Sequence, residues 1–295
     1  MIELTGPFAR ANSLSFLPSV LLLVYRNYAA AVGHSRLGLA TILIGIVVNA
    51  IIFTLVQRRS ELALKWKHLA GREITKPLWR IGTPIGFSGL GSVGTFVGMT
   101  FIIALMGSEQ VVGHAIGLQA ANVGFAILWG GAQATTISIG RATGARNLAA
   151  TQTAAWTGVA NGVATAVILS TTFLVLRDQI VGLFLDYEVA ANAASIEAAL
   201  SVMLAIGIYQ LANGPQLVAT SSLRGLRDTT VPFVISLTGY WVVGASFAAI
   251  LLRFTEPQAE GIWFAMSAAV AISSAILLYR LSRLLPRALE LTSET

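Results

Sequence analysis

The connections between the long apolar runs of this chain alternate between basic and acidic along the sequence. Beyond residue 80 there are six such runs, and a helix needs about 20 mostly apolar residues to cross a bilayer. From residue 57 onward, the connections on one side hold 14 Lys and Arg, whereas those on the other side hold only Arg177 and Arg253. Because cytoplasmic loops retain Lys and Arg, the pattern predicts a polytopic membrane protein with its basic side in the cytoplasm.

Composition leads to the same class of protein. Hydrophobic residues make up 55% and charged residues 11% of the chain, and the mean hydropathy is +0.75, which leaves too little polar surface for a soluble domain of this length. The net charge of +6 lies in membrane-flanking loops, where topology and anionic headgroups explain it. Nucleic acid is therefore not an expected partner, and the absence of cysteine excludes disulfides and thiolate metal sites.

We predict an all-α helical bundle, multi-pass in the inner (plasma) membrane, with about eight transmembrane helices and a cytoplasmic C-terminus. Residues 1–56 are expected to form two spans, 57–80 a basic cytoplasmic connector helix, 81–287 a six-helix lobe and 288–295 a cytoplasmic tail. The individual spans are placed near 14–33, 37–56, 81–106, 110–139, 152–176, 195–222, 231–252 and 261–280.

Charge and helix count disagree near the start of the chain. The connection between the first two runs carries His34 and Arg36 and no acid, although the helix count places it outside. A chain cannot begin and end the run 37–56 on one face, so we expect a span to be missing through truncation or internal deletion.

Several motifs resemble the multidrug and toxin extrusion (MATE) family. The strongest are Tyr209-Gln-Leu-Ala-Asn-Gly-Pro-Gln216 and Leu223-Arg-Gly-Leu-Arg-Asp228, followed by Gln133-Ala-Thr-Thr-Ile-Ser-Ile-Gly-Arg-Ala-Thr-Gly144. Supporting segments in family order are Ile81-Gly-Thr-Pro84, Gly113-His-Ala-Ile116, Pro232, Gly239-Tyr-Trp241 and Gly261-Ile-Trp263. The resemblance implies a twelve-helix transporter of two lobes, in which residues 81–280 are the whole second lobe and the first lobe is partial.

The resemblance also implies where solute and coupling ion bind. Many members carry a Glu eight residues after the Gly-x-Pro proline, where this chain has Ser92, and an Asp four residues after a Tyr or Phe, where it has Asn213. Neither replacement can carry a charge, so coupling to H+ or Na+ lacks its usual second-lobe carboxylates. The residues expected on the substrate and ion cavity are Tyr209, Asn213, Gln216, Ser92, Gln119 and Asn122.

Structural roles are the alternative for these polar residues. Asn213 and Gln216 could instead hydrogen-bond between helices, and Ser92 lies in a Gly/Ser-rich run that suits close helix packing. His114 fits a packing histidine better than a proton carrier. Arg224 and Asp228, four residues apart, predict an ion pair at a helix end.

By resemblance, the function is secondary active efflux of organic, often cationic and amphipathic, solutes by cation antiport, with alternating access between two lobes. A lipid-linked saccharide flippase of the same superfamily and an inserted but transport-incompetent remnant remain alternatives. The sequence has no Walker-type loop, no His/Glu metal spacing and no Ser/His/Asp set at a common depth, so we expect no enzyme, no metal and no cofactor. The expected partners are small organic solutes and the lipid bilayer.

Overall fold

The computed structural model describes residues 72–254 and 258–288, and every regular element within these two ranges is helical. The α-helices are α1 (Arg72–Ala104), α2 (Ser108–Gly144), α3 (Leu148–Val175), α4 (Arg177–Gly182), α5 (Ala193–Gly225), α6 (Thr230–Thr238), α7 (Ala245–Phe254) and α8 (Ala259–Leu284). A π-helical segment, Gly239–Gly244, joins α6 to α7, and single 3-10 turns lie at Ala190–Asn192 and Leu285–Arg287.

Six helical stretches in the described ranges are long and apolar enough to span a membrane. They are Gly82–Ala104, Ser108–Gly144, Leu148–Val175, Ala190–Gly225, Thr230–Ile250 and Ala259–Arg287. Each corresponds to one of the six spans predicted after residue 80, so the predicted all-α membrane bundle is confirmed. The predicted spans 14–33 and 37–56 and the tail from residue 289 lie outside the described residues.

The predicted connector helix falls only partly within the described residues. Residues 72–80 form the first turns of α1, which continues without a break into the span predicted at 81–106. The chain divides into two compact units at Pro77, and helices α2 to α8 all belong to the second unit, which begins at Leu78.

Helix α5 is the central element of this unit, because α2, α3 and α8 all pack against it. Glycines allow α2 and α3 to approach α5 closely. A Cβ on Gly113 would lie 2.8 Å from the backbone carbonyl carbon of Ala198, and a Cβ on Gly214 would lie 2.7 Å from the carbonyl oxygen of Gly162. Small residues of this kind let transmembrane helices come into backbone contact, since burial of apolar surface does not drive their association in lipid.

The turns after α2 and α5 share one geometry. Arg146 and Arg227 both have positive φ, 53° and 64°, where glycine is usual. In each turn the residue after the arginine donates a hydrogen bond to the carbonyl oxygen five residues earlier. Asn147 N–H donates to Ala142 C=O at 3.0 Å, and Asp228 N–H donates to Leu223 C=O at 2.9 Å. Both helices therefore end in a Schellman-type turn with an arginine at the left-handed position.

This geometry shows that the ion pair predicted between Arg224 and Asp228 is wrong. Helix α5 ends at Gly225, and the left-handed Arg227 turns the chain away, so the two side chains are not one helical turn apart. Asp228 instead pairs with Arg280 of α8, Oδ2 to Nε at 2.6 Å. The pair links the α5–α6 turn to the last helix of the unit.

Candidate functional site

Three of the six predicted cavity residues, Tyr209, Asn213 and Gln216, lie buried along α5. The Tyr209 hydroxyl donates to Asn213 Oδ1 at 3.4 Å, and the Asn213 amide donates to Gln210 Oε1 at 3.3 Å. The network extends toward α2, because a Cβ on Gly124 would clash with the Gln210 amide. A glycine at position 124 thus makes room for a buried amide.

Gln216 takes part in a second contact rather than in the Tyr209 network. Its Oε1 accepts a 2.9 Å hydrogen bond from the Tyr240 hydroxyl. Tyr240 belongs to the π-helical segment, and such insertions change which way the following side chains face and are frequent at functional sites. Gly239 permits close packing there, since a Cβ would clash with Ser273 of α8.

Ser92 lies half-buried on α1, and its hydroxyl donates to the carbonyl oxygen of Ser88 one turn earlier, at 3.0 Å. Its neighbour Gly91 faces α6, where a Cβ would be 2.9 Å from Leu237 Cδ1. The carbonyl of Gly91 accepts a hydrogen bond from Trp241 Nε1 at 3.2 Å. The Gly/Ser-rich run therefore packs in part against the α6–α7 span.

Gln119 and Asn122 are both half-buried on α2, three residues apart. The structure therefore brings Tyr209 and Asn213 together, while Gln216 and Ser92 bond to residues outside the predicted set. All six residues stay a prediction as cavity lining.

Near the start of α2, at the end of the unit away from Arg224, both ring nitrogens of buried His114 make hydrogen bonds. Trp263 Nε1 donates to Nδ1 at 3.1 Å, and Nε2 lies 2.9 Å from the Thr100 hydroxyl. Since an indole N–H can only donate, Nδ1 must accept, and the neutral ring therefore carries its proton on Nε2. The Thr100 hydroxyl in turn donates to Phe96 C=O at 2.9 Å. This chain braces α1, α2 and α8, as expected for a packing histidine.

Helices α2, α5 and α8 carry Arg141, Arg224 and Arg280 near their C-terminal ends, and this end of the unit is called the basic end below. There Arg224 reaches α1. Its Nη2 donates to the Ser88 hydroxyl at 3.4 Å, and Tyr240 lies nearby. Within the described ranges, the ion pairs are Arg280–Asp228 and Arg177–Asp178. Arg224 therefore has no carboxylate partner among the residues described.

Unpartnered polar atoms are concentrated on α5. Four buried side-chain atoms within the described ranges make no hydrogen bond, and they are Gln210 Nε2, Gln216 Nε2, Ser221 Oγ and Ser222 Oγ. Most buried polar groups are hydrogen-bonded, so these exceptions single out α5. Residues 72–254 and 258–288 contain no group of three or more His, Asp or Glu that could hold a metal ion.

An apolar groove of about 460 Å³ runs along the first half of α1. It contains none of the six predicted residues; its lining is Trp79, Gly82, Thr83, Gly86, Phe87 and Leu90. By helical spacing, this face of α1 is opposite the one that carries Ser88 and Ser92.

Sequence reasoning missed Gln210, Tyr240 and Ser88 as members of these contacts. Gln210 precedes Asn213 by three residues, the same helical spacing that drew attention to Asn213 and Gln216. Tyr240 stood within a recognised motif, but the π-helical segment that directs it to Gln216 has no simple sequence signal. Ser88 could be found only from the structure, because its partner is 136 residues away.

Comparisons with known proteins identify the family. The MatE family model matches residues 84–250, more than half of the chain. A probable multidrug resistance protein NorM of Pseudomonas putida is 33% identical over 217 residues, which cover 72% of this chain and 47% of that protein. A protein of the same name from Pseudomonas aeruginosa is 29% identical over 300 residues, or 97% and 61% of the two chains. The chain spans about half the length of the curated relatives it matches.

Solved structures agree in fold. The crystal structure of MATE in complex with MaL6 has a TM-score of 0.75 at 17% identity, covering 88% of this chain and 58% of its own. The outward-facing conformation of a multidrug resistance MATE family transporter gives the same four values. A transporter from Pyrococcus furiosus has a TM-score of 0.74 at 18% identity and the same two coverages. The family match, the relatives and the shared fold together show that this chain belongs to the multidrug and toxin extrusion (MatE) family.

Proposed function

We propose that this chain acts in secondary active efflux of organic, amphipathic solutes, with alternating access between two lobes. The observation that carries the proposal is the family match over 84–250, which coincides with five of the six candidate spans. The names of the relatives, probable multidrug resistance proteins, support solute efflux as the activity.

Cation antiport is the mechanism that we propose, with H+ or Na+ as the coupling ion. The side chains at the usual carboxylate places, Ser92 and Asn213, offer oxygen ligands but no titratable group. Na+ can be bound by neutral oxygens, whereas proton carriage needs a group that titrates. The Asp and Glu residues of the described unit lie at helix ends or in turns, so a protonatable acid in the middle of a span would then have to come from outside this unit.

We propose that Tyr209, Asn213 and Gln216 belong to the solute-binding surface of this lobe. Their support is the pair of buried amide nitrogens that make no hydrogen bond, Gln210 Nε2 and Gln216 Nε2. Such donors cost free energy when buried unpaired, of the order of 1–3 kcal/mol each. A solute carbonyl or ether oxygen would satisfy them.

Dye accumulation tests the efflux proposal. A bacterial host lacking its own efflux pumps should accumulate less of cationic ethidium or of anionic carboxyfluorescein when it produces the chain, and a protonophore or removal of the Na+ gradient should reverse the difference. Unchanged levels of both dyes, with the protein shown to be inserted, would support the alternative of a transport-incompetent remnant.

The proposed orientation places the basic turns and the C-terminus in the cytoplasm, in an inner membrane. The chain contains no native cysteine, so single cysteines can be labelled without background. Ala145→Cys, beside Arg146, and Ala190→Cys, beside the acidic segment 186–188, both lie at exposed positions. In intact spheroplasts an impermeant maleimide should label the second variant and not the first. Equal labelling would contradict the orientation.

A further inference from the structure

We propose that the basic end of this unit contains a site for an anionic group, a carboxylate or a phosphate, centred on Arg224. The inference rests on the proposed transport function and specifies its solute: an amphipathic molecule that bears a negative charge. Resemblance alone led us to expect a cationic solute.

The first observation is the charge balance around Arg224. Its guanidinium contacts the Ser88 hydroxyl at 3.4 Å and lies near Tyr240. Asp228, the nearest acid in sequence, is engaged by Arg280 at 2.6 Å. In the described structure the half-buried Arg224 is thus a cation with neutral hydrogen-bonding neighbours and no counter-charge.

The second observation is independent of charge. Gln216 lies two turns before Arg224 on α5 and is buried, and its Nε2 has no hydrogen-bond partner. Its Oε1 is held by Tyr240 at 2.9 Å, which fixes the amide. Tyr240, which holds Gln216, also lies near Arg224. The Arg224 guanidinium, the Ser88 hydroxyl and the Gln216 amide N–H2, called the polar strip below, can all donate to an anion.

The third observation concerns Ser92, one turn from Ser88 on α1. A Glu at this place would put a carboxylate about 6 Å along the helix from Ser88. That carboxylate would compensate Arg224. With serine at position 92, the positive charge remains available to a ligand.

Binding of two matched dyes to the purified full chain tests the site. Carboxyfluorescein and rhodamine 6G share a xanthene ring system but carry opposite charges. With the chain in phosphatidylcholine nanodiscs, fluorescence anisotropy should show carboxyfluorescein binding, which Arg224→Gln should weaken about 10- to 100-fold, as expected for loss of charge-assisted hydrogen bonds. Arg224→Lys should weaken it less, because the charge remains while the planar fork is lost.

Arg283→Gln is the matched control, since Arg283 is an exposed arginine at the same basic end. It should change binding by no more than about twofold, in keeping with the small effect of exposed charges. Ser92→Glu should weaken carboxyfluorescein and strengthen rhodamine 6G. Size-exclusion profiles identify any variant that fails to fold, and Ser92→Glu then tests the charge balance without altering Arg224.

The outcomes separate the two proposals. Binding of carboxyfluorescein that Arg224→Gln leaves unchanged overturns the anion site. Binding of rhodamine 6G without carboxyfluorescein also overturns it but leaves the proposed efflux function standing, whereas binding of neither dye counts against both. Competition by phosphatidylglycerol, added to the nanodiscs, would support the site and identify a lipid headgroup as its source of phosphate; no competition would point to the solute.

Discussion

The close approach of α3 and α5 predicts that Gly214→Ala destabilises this unit. A Cβ at position 214 would lie 2.5 Å from Ala166 Cβ and 2.7 Å from the Gly162 carbonyl oxygen. Carbon atoms in contact normally lie about 3.5–4.0 Å apart, so the helices would have to separate by roughly 1 Å. Neither obstacle is the end of a flexible side chain, and the helices must therefore move.

Two opposing effects set the magnitude. Overpacking of a well-packed interior costs about 1–3 kcal/mol, while Ala in place of Gly within a helix gains about 0.5–1 kcal/mol. The net expectation is a loss of about 1 kcal/mol in the free energy of unfolding, and at most about 2.5 kcal/mol. The control is Gly130→Ala, mid-helix in α2, where a Cβ would meet nothing within 4 Å. This variant has only the helix-propensity gain and should be as stable as the parent chain or slightly more stable.

Unfolding of the purified chain in mixed micelles, with increasing SDS and far-UV circular dichroism as the signal, measures the difference. Gly214→Ala should unfold at a lower SDS fraction than the parent, and Gly130→Ala at the same or a higher one. If the two variants shift together, backbone contact between α3 and α5 does not limit stability, and the reasoning is refuted.

Three further changes test other contacts by the same unfolding assay. Asp228→Asn and Arg280→Gln, alone and combined, should give a coupling of about 1–2 kcal/mol in a double-mutant cycle, and additive effects would mean that the 2.6 Å pair contributes little. Trp263→Phe should cost at least about 1–3 kcal/mol, because it leaves buried His114 Nδ1 without its donor; a neutral effect would contradict the bond. Arg146→Gly should stabilise by up to about 1 kcal/mol, since it relieves a positive φ of 53°, and a loss of stability would show that the arginine side chain matters more than its backbone strain.

The sequence was sufficient to predict the six spans of the described unit. Each span is an apolar run bounded by charged turns, and lipid leaves the backbone few options other than a helix. The packing role of His114 was also predictable, because the ring lies one turn into an apolar helix. These features depend on residues close together in the chain.

Contacts between distant residues were not predictable in the same way. The bond between Trp263 and His114 joins residues 149 apart in sequence, and the one between Tyr240 and Gln216 depends on a π-helical segment with α-helix-like composition. The prediction that failed, an ion pair between Arg224 and Asp228, concerned residues only four positions apart. Four-residue spacing suggested that Arg224 and Asp228 pair, but that spacing brings side chains together only while the helix continues.

The ending of α5 therefore has consequences for charge across the unit. Because Arg227 adopts a left-handed conformation, Asp228 turns toward Arg280 and is not available to Arg224. Had helix α5 continued by one turn, Asp228 would have neutralised Arg224, and the polar strip of Ser88, Gln216 and Arg224 would have had no net charge. With Ser92 and Asn213 at the two places where the family resemblance implies an acid, the charge that remains beside this strip is positive. Two side-chain replacements and one backbone turn thus act in the same direction, and the two replacements can be reversed separately, by Ser92→Glu and Asn213→Asp. Because glycine adopts positive φ without strain, Arg227→Gly should keep the turn and the Asp228–Arg280 pair and leave the relative affinities of the two dyes unchanged; a changed ratio would show that the Arg227 side chain itself contributes to binding.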